Sequence, residues 1–199
     1  PVITTSSDVN ESFSVDSYAV ENRLTITDKK GIKKVSTRAL EGKKVTLSIK
    51  DFPPEKPVDV IVADETDAEH QLLLKPKMYT VGLGMKKDKD PGEVEEFFLD
   101  TLSQNKIDVS DVYALCTIDI KEDEPAVINL RDKYRIPVLS FDSDLLNKAP
   151  GEFTSSEFVR EKTGVDNVCE RSAILGSGCG SLILKKTAKN GMTIAIAKR

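Results

Sequence analysis

Three features of the sequence predict an α/β fold. From residue 77 onward, short apolar runs alternate with amphipathic helical stretches in the order strand, helix, strand, helix, strand. That order calls for a mainly parallel sheet with helices on both faces, a three-layer arrangement. The chain then closes on two alternating runs, "SLILKK" and "MTIAIAK", joined through Asn190-Gly191. They predict a C-terminal antiparallel hairpin added to the sheet, with a loop longer than the tightest type. Ahead of Pro76 a mixture of strands and helices interrupted by prolines predicts a smaller α/β module, so residues 1–76 form one unit and 77–199 another.

The elements follow in order. "VITT" reads as a strand, and Val15, Tyr18 and Ala19 as the inner face of a helix over 15–22. A helix spans 28–41, with Ile32, Val35, Ala39 and Leu40 at helical spacing and Gly42 just past its end. "VTLSI" (45–49) is a strand. "DFPPEKP" (51–57) is neither, because its three prolines remove donors and fix the backbone. "VDVIVAD" and "QLLLK" are strands. "YTVGLG" (79–84) is a buried strand that runs into a glycine turn. Asp90-Pro91 followed by Glu93 is a helix start, with Val94, Phe97, Phe98, Thr101 and Leu102 facing the core. "VYALCTI" (112–118) is the next strand, Pro125 opens the next helix, and "IPVLSF" (136–141) is the third strand. Thr154 with Glu157 makes a capping box before a helix over 155–162, and Asp166 caps the helix after it.

Composition narrows the chemistry. The net charge of −4 argues against a general nucleic-acid surface. No apolar run is long enough to cross a bilayer, and no signal-peptide pattern is present. Cys116, Cys169 and Cys179 are odd in number and widely spaced, which suits a reducing cytoplasm and argues against a thiolate metal site. His70 is the only histidine, so acid–base work falls to carboxylates, lysines, tyrosines or a cysteine. The chain opens on Pro1 rather than Met, which suggests a piece of a longer protein.

Four stretches carry candidate chemistry. In "VGLGMKK", Gly82 and Gly84 either admit an anion to the backbone or form a tight turn, and Lys86, Lys87 and Lys89 make the spot cationic. The third glycine of a dinucleotide fingerprint is replaced by Lys87. In "TIDIKEDEP", Asp119, Glu122, Asp123 and Glu124 crowd the end of a buried strand around Lys121. They read as a solvated loop with helix-start acids, or as carboxylates sharing acid and base roles where α/β sheets bind ligands. In "TGVDNVCERSA", Cys169 reads as a core residue, while Glu170 falls on another face and is freer to act. "GSGCGS" (176–181) reads as an anion-cradling nest or, more simply, as a helix stop and loop before a strand.

Taken together, "VITTSSDVN", "VDSYAVENRL", "PKMYTVGLGMKK", "CTIDIKEDEP", "SEFVREKTGVDNVCERSAILGSG" and "NGMTIAIA" resemble the CbiG family, the cobalt-precorrin-5A hydrolases of anaerobic cobalamin synthesis. The resemblance spans almost the whole chain, as a central module and the C-terminal domain. Two departures stand out: Met85 replaces the family's usual cysteine, and the family's N-terminal domain with its GGH-type motif does not appear in this sequence.

The resemblance implies a cobalt tetrapyrrole substrate bearing a lactone and many acetate and propionate groups. Water opens the lactone and a two-carbon unit leaves as acetaldehyde. Cobalt comes with the substrate, so no cofactor and no dedicated metal ligands are expected. On this resemblance Asp119, Glu124 and Glu170 are candidate general bases or acids. Gly82, Gly84, Lys86 and Lys121 would hold peripheral carboxylates, and Thr163, Asp166 and Asn167 would order the helix mouth and donate to the ligand. Other corrin-pathway enzymes are further partners it suggests, and the cytoplasm is the expected location. Two other readings stay open. One is a non-catalytic module that binds a corrin intermediate, as the free-standing CobE proteins suggest. The other is a nucleotide-dependent oxidoreductase, which rests on the Gly-Leu-Gly turn alone.

Overall fold

A computed structural model describes residues 14–49 and 56–199. The strand expected in "VITT" and most of the proline-rich stretch lie outside the described residues. The chain divides into two compact units, Pro1–Lys77 and Met78–Arg199.

In the first unit, helix α1 spans Val15–Glu21, and the hydroxyl of its cap Ser14 accepts from the Ser17 amide. Strand β1, Leu24–Ile26, follows, a short strand that the sequence did not announce. Helix α2 spans Lys29–Leu40, and the Asp28 carboxylate accepts from the amides of Lys30 and Gly31. Strands β2 (Leu47–Ile49), β3 (Val58–Val62) and β4 (His70–Pro76) complete a sheet ordered β1-β4-β3-β2 among the described residues. β2, β3 and β4 run parallel and β1 antiparallel. Val15, Val35, Val60, Leu72 and Leu74 close its core. Leu40 does not join them: it ends the helix 89% exposed, one position off the inward stripe.

In the second unit, β5 (Tyr79–Met85), β6 (Val112–Ile118) and β7 (Val138–Phe141) run parallel, and β8 (Ser181–Lys189) and β9 (Met192–Lys198) add the expected hairpin. The strand order is β7-β6-β5-β9-β8, so the parallel part is a three-stranded half and β9 pairs antiparallel with β5. The hairpin loop is shorter than expected. Asn190 (φ 49°) and Gly191 (φ 77°) alone make the turn, both left-handed, as the tightest hairpin type requires.

Helices cover both sheet faces. α3 (Pro91–Gln104) begins as its sequence indicates, with the Asp90 side chain accepting from the Glu93 amide and a proline in the first turn. Its Val94, Phe97, Phe98 and Leu102 pack with Val81 and Leu83 of β5 and with Ala126 and Leu130 of α4 (Pro125–Tyr134). Each such side chain, fully buried, contributes about 1.5–3 kcal/mol. On the opposite face lies α7 (Val168–Gly176), with the Thr80 hydroxyl donating to the Ala173 carbonyl at 2.8 Å and the Ser172 hydroxyl to that of Cys116 at 3.2 Å. Two short helices, α5 (Ser143–Asn147) and α6 (Glu157–Thr163), lie between β7 and α7 in sequence.

The two predicted caps in this stretch are displaced. α6 is preceded by Ser156, not by a Thr154–Glu157 box, and α7 is capped by Asn167, not Asp166. Both displaced residues have stronger partners elsewhere, described below.

Candidate functional site

The parallel strands end together. β5 and β6 pair with Gly82 opposite Cys116, and β6 and β7 with Thr117 opposite Ser140. Beyond their carboxyl ends lie three segments: residues 86–90 after β5, the turn Asp119–Lys121 with residues 122–124 after β6, and Asp142 after β7. Open α/β sheets bind ligands at this edge.

An ion pair stiffens the segment after β6, and a hydrogen bond joins it to the segment after β5. Lys121 Nζ lies 2.6 Å from Glu124 Oε1, and the Asp88 amide donates to Glu124 Oε2 at 3.1 Å. Glu124 is therefore committed at both oxygens. Burial works to raise its pKa, but the Lys121 hydrogen bond, the Asp88 amide, the Lys121 charge and Lys87 outweigh it and hold the carboxyl below its ordinary value. Glu124 stays ionised and fixes Lys121. Within β7, the Ser140 hydroxyl donates to Glu122 of the segment after β6. Asp119 is exposed, with one oxygen accepting the Ile120 amide at 2.7 Å and the other making no hydrogen bond among the described residues. Lys86 and Lys87 are exposed, and neither is ion-paired among the described residues.

The glycines do different work from that expected. Both lie inside β5, not in a turn after it. A Cβ on Gly82 would stand 1.8 Å from the Cys169 carbonyl oxygen, so this glycine lets α7 press on the strand. Gly84 meets the Thr193 hydroxyl, which donates to its carbonyl at 3.2 Å. Neither opens the backbone to an anion.

The start of α7 is occupied from within. Glu170 has no exposed surface. Its carboxylate accepts four hydrogen bonds: from the Thr154 amide (2.8 Å), the Thr154 hydroxyl (3.0 Å), Asn167 Nδ2 (2.8 Å) and the Lys186 amide (2.7 Å). The free base expected on an outer face is instead a clamp, because β8 covers it: irregular register between Leu184 and Thr187 releases the Lys186 amide from the ladder. Asn167 also accepts from the Glu170 amide at 2.9 Å and donates to the Thr154 carbonyl at 2.9 Å.

Asp166, 7% exposed, pairs with Arg171 at 2.9 Å and Arg160 at 3.1 Å. Burial pushes its pKa up, yet the two guanidiniums prevail and hold it below the ordinary value. Arg171 further donates to the Leu146 carbonyl at 3.1 Å and lies over the Phe153 ring. The Thr163 hydroxyl is spent on the Val159 and Val165 carbonyls. Cys169 is the core residue it was read as, its thiol pushed up to about 11, chiefly by burial.

Thus Lys121, Glu124 and the Asp88 amide are joined beyond the strand ends, with Asp119 in the same turn as Lys121, whereas the Lys86 side chain lies against Gly191 of the hairpin turn. Thr163, Asp166, Asn167 and Glu170 form a separate scaffold around the start of α7. No hydrogen bond or ion pair joins the two groups among the described residues. Asp88 and Ser140 were missed as partners, because a backbone amide and a strand serine carry no sequence signal for such a role.

Residues 79–197 match the family model described as "Cobalamin synthesis G C-terminus". The chain is 30% identical to the cobalt-precorrin-5A hydrolase of Priestia megaterium, over 70% of this chain and 37% of that protein. It is 25% identical to the cobalt-precorrin-5A hydrolase of Salmonella typhimurium, over 98% of this chain and 63% of that one. The chain thus spans between about a third and two thirds of the length of these relatives. Its fold is like that of the crystal structure of CobE, a protein from the cobalamin biosynthetic pathway. The TM-score is 0.57 at 24% identity, over 62% of this chain and 92% of that one.

Proposed function

The chain belongs to the cobalamin synthesis G C-terminus family, and from that premise we propose that it acts in cobalamin biosynthesis, hydrolysing cobalt-precorrin-5A. The observation that carries the reading is the edge beyond β5 and β6, where Asp119 keeps one carboxylate oxygen open in the turn after β6 and Lys86, Lys87 and Lys121 stand in the loops that follow the two strands. A tetrapyrrole rich in carboxylates is a polyanion, and Lys86, Lys87 and Lys121 suit it. Its cobalt arrives as part of the substrate. Partner enzymes that supply or accept this tetrapyrrole, and the cytoplasm as the place of work, belong to the same reading.

Asp119 takes the proton of the water that attacks the lactone carbonyl. The ring-opened product is a carboxylate and an alcohol. Loss of the alcohol proton then breaks the adjacent C–C bond, acetaldehyde leaves, and the electron pair passes to the macrocycle, which takes up a proton. Glu124 does not serve as base, since both of its oxygens already accept hydrogen bonds and its lowered pKa makes it a weaker proton acceptor. It positions Lys121 instead.

Asp119→Asn tests the assignment. Anaerobic turnover of cobalt-precorrin-5A is expected to lose about 10²-fold or more in acetaldehyde release, the scale of a lost general base, with tetrapyrrole binding kept. Undiminished release would remove Asp119 from the mechanism. Tetrapyrrole binding by the unaltered chain without any acetaldehyde would make it a non-catalytic carrier.

A further inference from the structure

A second cationic surface lies in the first unit. On α2, Lys30, Lys33, Lys34 and Arg38 follow at steps of three and four residues, so they share one side of the helix. With Lys43 they line a basin of about 600 Å³. The opposite side of α2 carries the buried Val35.

Both carboxylates in the basin are committed. Glu41 pairs with Lys43 at 2.7 Å. Asp59, 8% exposed, accepts the Thr46 amide at 2.8 Å and its hydroxyl at 2.9 Å, and stands 3.2 Å from Arg38 Nε. Arg38 Nε also donates to the Lys44 carbonyl at 2.8 Å. The guanidinium is thus gripped at its Nε, and its two Nη groups make no hydrogen bond among the described residues. Nor do Lys30, Lys33 and Lys34 form an ion pair among the described residues.

Like charges at three- and four-residue steps repel each other along a helix. Here they persist in a chain where acids outnumber bases, 33 to 29. An anion with several negative groups relieves that repulsion. The basin is open to solvent and lined by charged and polar side chains, so a ligand there is held by charge rather than by enclosure. The net negative charge of the chain disfavours a nucleic-acid backbone as the occupant.

We propose that this basin binds a small molecule bearing several carboxylates. Arg38, pre-set by Asp59, takes one carboxylate through its Nη pair, and Lys30, Lys33 and Lys34 take others. That the natural ligand is the tetrapyrrole named above rests on that reading; the presence of the site does not.

The test is amide chemical-shift mapping of the 199-residue chain with uroporphyrin I, a porphyrin with eight carboxylates. The expected result is a titrating set of shifts on α2 and around Asp59, with affinity at least tenfold weaker in Lys30→Glu/Lys34→Glu and several-fold weaker in Arg38→Met, all three spectra otherwise folded. Absence of shifts on α2, shifts that survive the double reversal, or stronger displacement by mixed-sequence DNA at equal charge would each overturn the proposal. Shifts on α2 without acetaldehyde release from cobalt-precorrin-5A would sink the hydrolase reading and leave this site standing. Acetaldehyde release without those shifts would do the reverse.

Discussion

Replacing Glu170 by glutamine places an amide NH₂ where a carboxylate oxygen now receives two of four donors. Buried donors left unmatched cost about 1–3 kcal/mol. Glu170→Gln should therefore lower the urea midpoint of the second unit by a corresponding amount; an unchanged midpoint would contradict the clamp. Asp166 gives a pH signature. Its folded pKa is depressed, so its stabilisation is present above the unfolded value of about 3.9 and lost as pH falls through the folded one. The stability gap between the unaltered chain and Asp166→Asn should be full at pH 7 and shrink steadily below about pH 4. A gap that widens in acid would reverse the sign of the argument. The thiols separate by burial: Cys116, pushed up to about 12, and Cys169 are sealed, while Cys179 is exposed. A thiol reagent should titrate Cys179 alone in the native chain and Cys116 and Cys169 after denaturation. At this scale the sequence was informative about residue type and poor about partners. Cys169 read correctly as core from its apolar neighbours. Glu170 and Asp166 were misread because what occupies them, the Lys186 amide and the Arg160–Arg171 pair, comes from other elements.

At the scale of elements, the contact between β5 and α7 controls the second unit. Gly82→Ala drives a methyl into the Cys169 carbonyl, a backbone atom that cannot step aside without moving the helix. The cost should reach the upper end of the about 1–3 kcal/mol typical of overpacking. Retention of the unaltered thermal midpoint would mean that α7 does not sit so close. Periodicity and cap chemistry made most elements legible. β6 was read with its bounds intact, and the Asp90-Pro91 start of α3 was unmistakable because donor, ring and carboxylate fall at fixed offsets. The glycines of β5 were taken for a turn, since a turn and a close helix approach demand the same absence of a Cβ. β1 and α5, of three and five residues, are too short to show a period.

Across the whole molecule, the chain forms two units, each with its own sheet and core. The sequence changes pattern near residue 76, from proline-broken segments to regular strand–helix alternation. The described residues include no helix long and apolar enough to cross a membrane. Charge is arranged against the net sign: the chain is acidic, yet lysines gather on α2 and beyond the parallel strands. That arrangement suits a polyanionic ligand more than a neutral one. The most direct test of the central claim is to incubate the 199-residue chain anaerobically with cobalt-precorrin-5A and quantify acetaldehyde while recording the tetrapyrrole's absorption spectrum. Acetaldehyde formed in step with a spectral change is the predicted result. A tetrapyrrole spectrum untouched by stoichiometric protein, with no acetaldehyde, would contradict it.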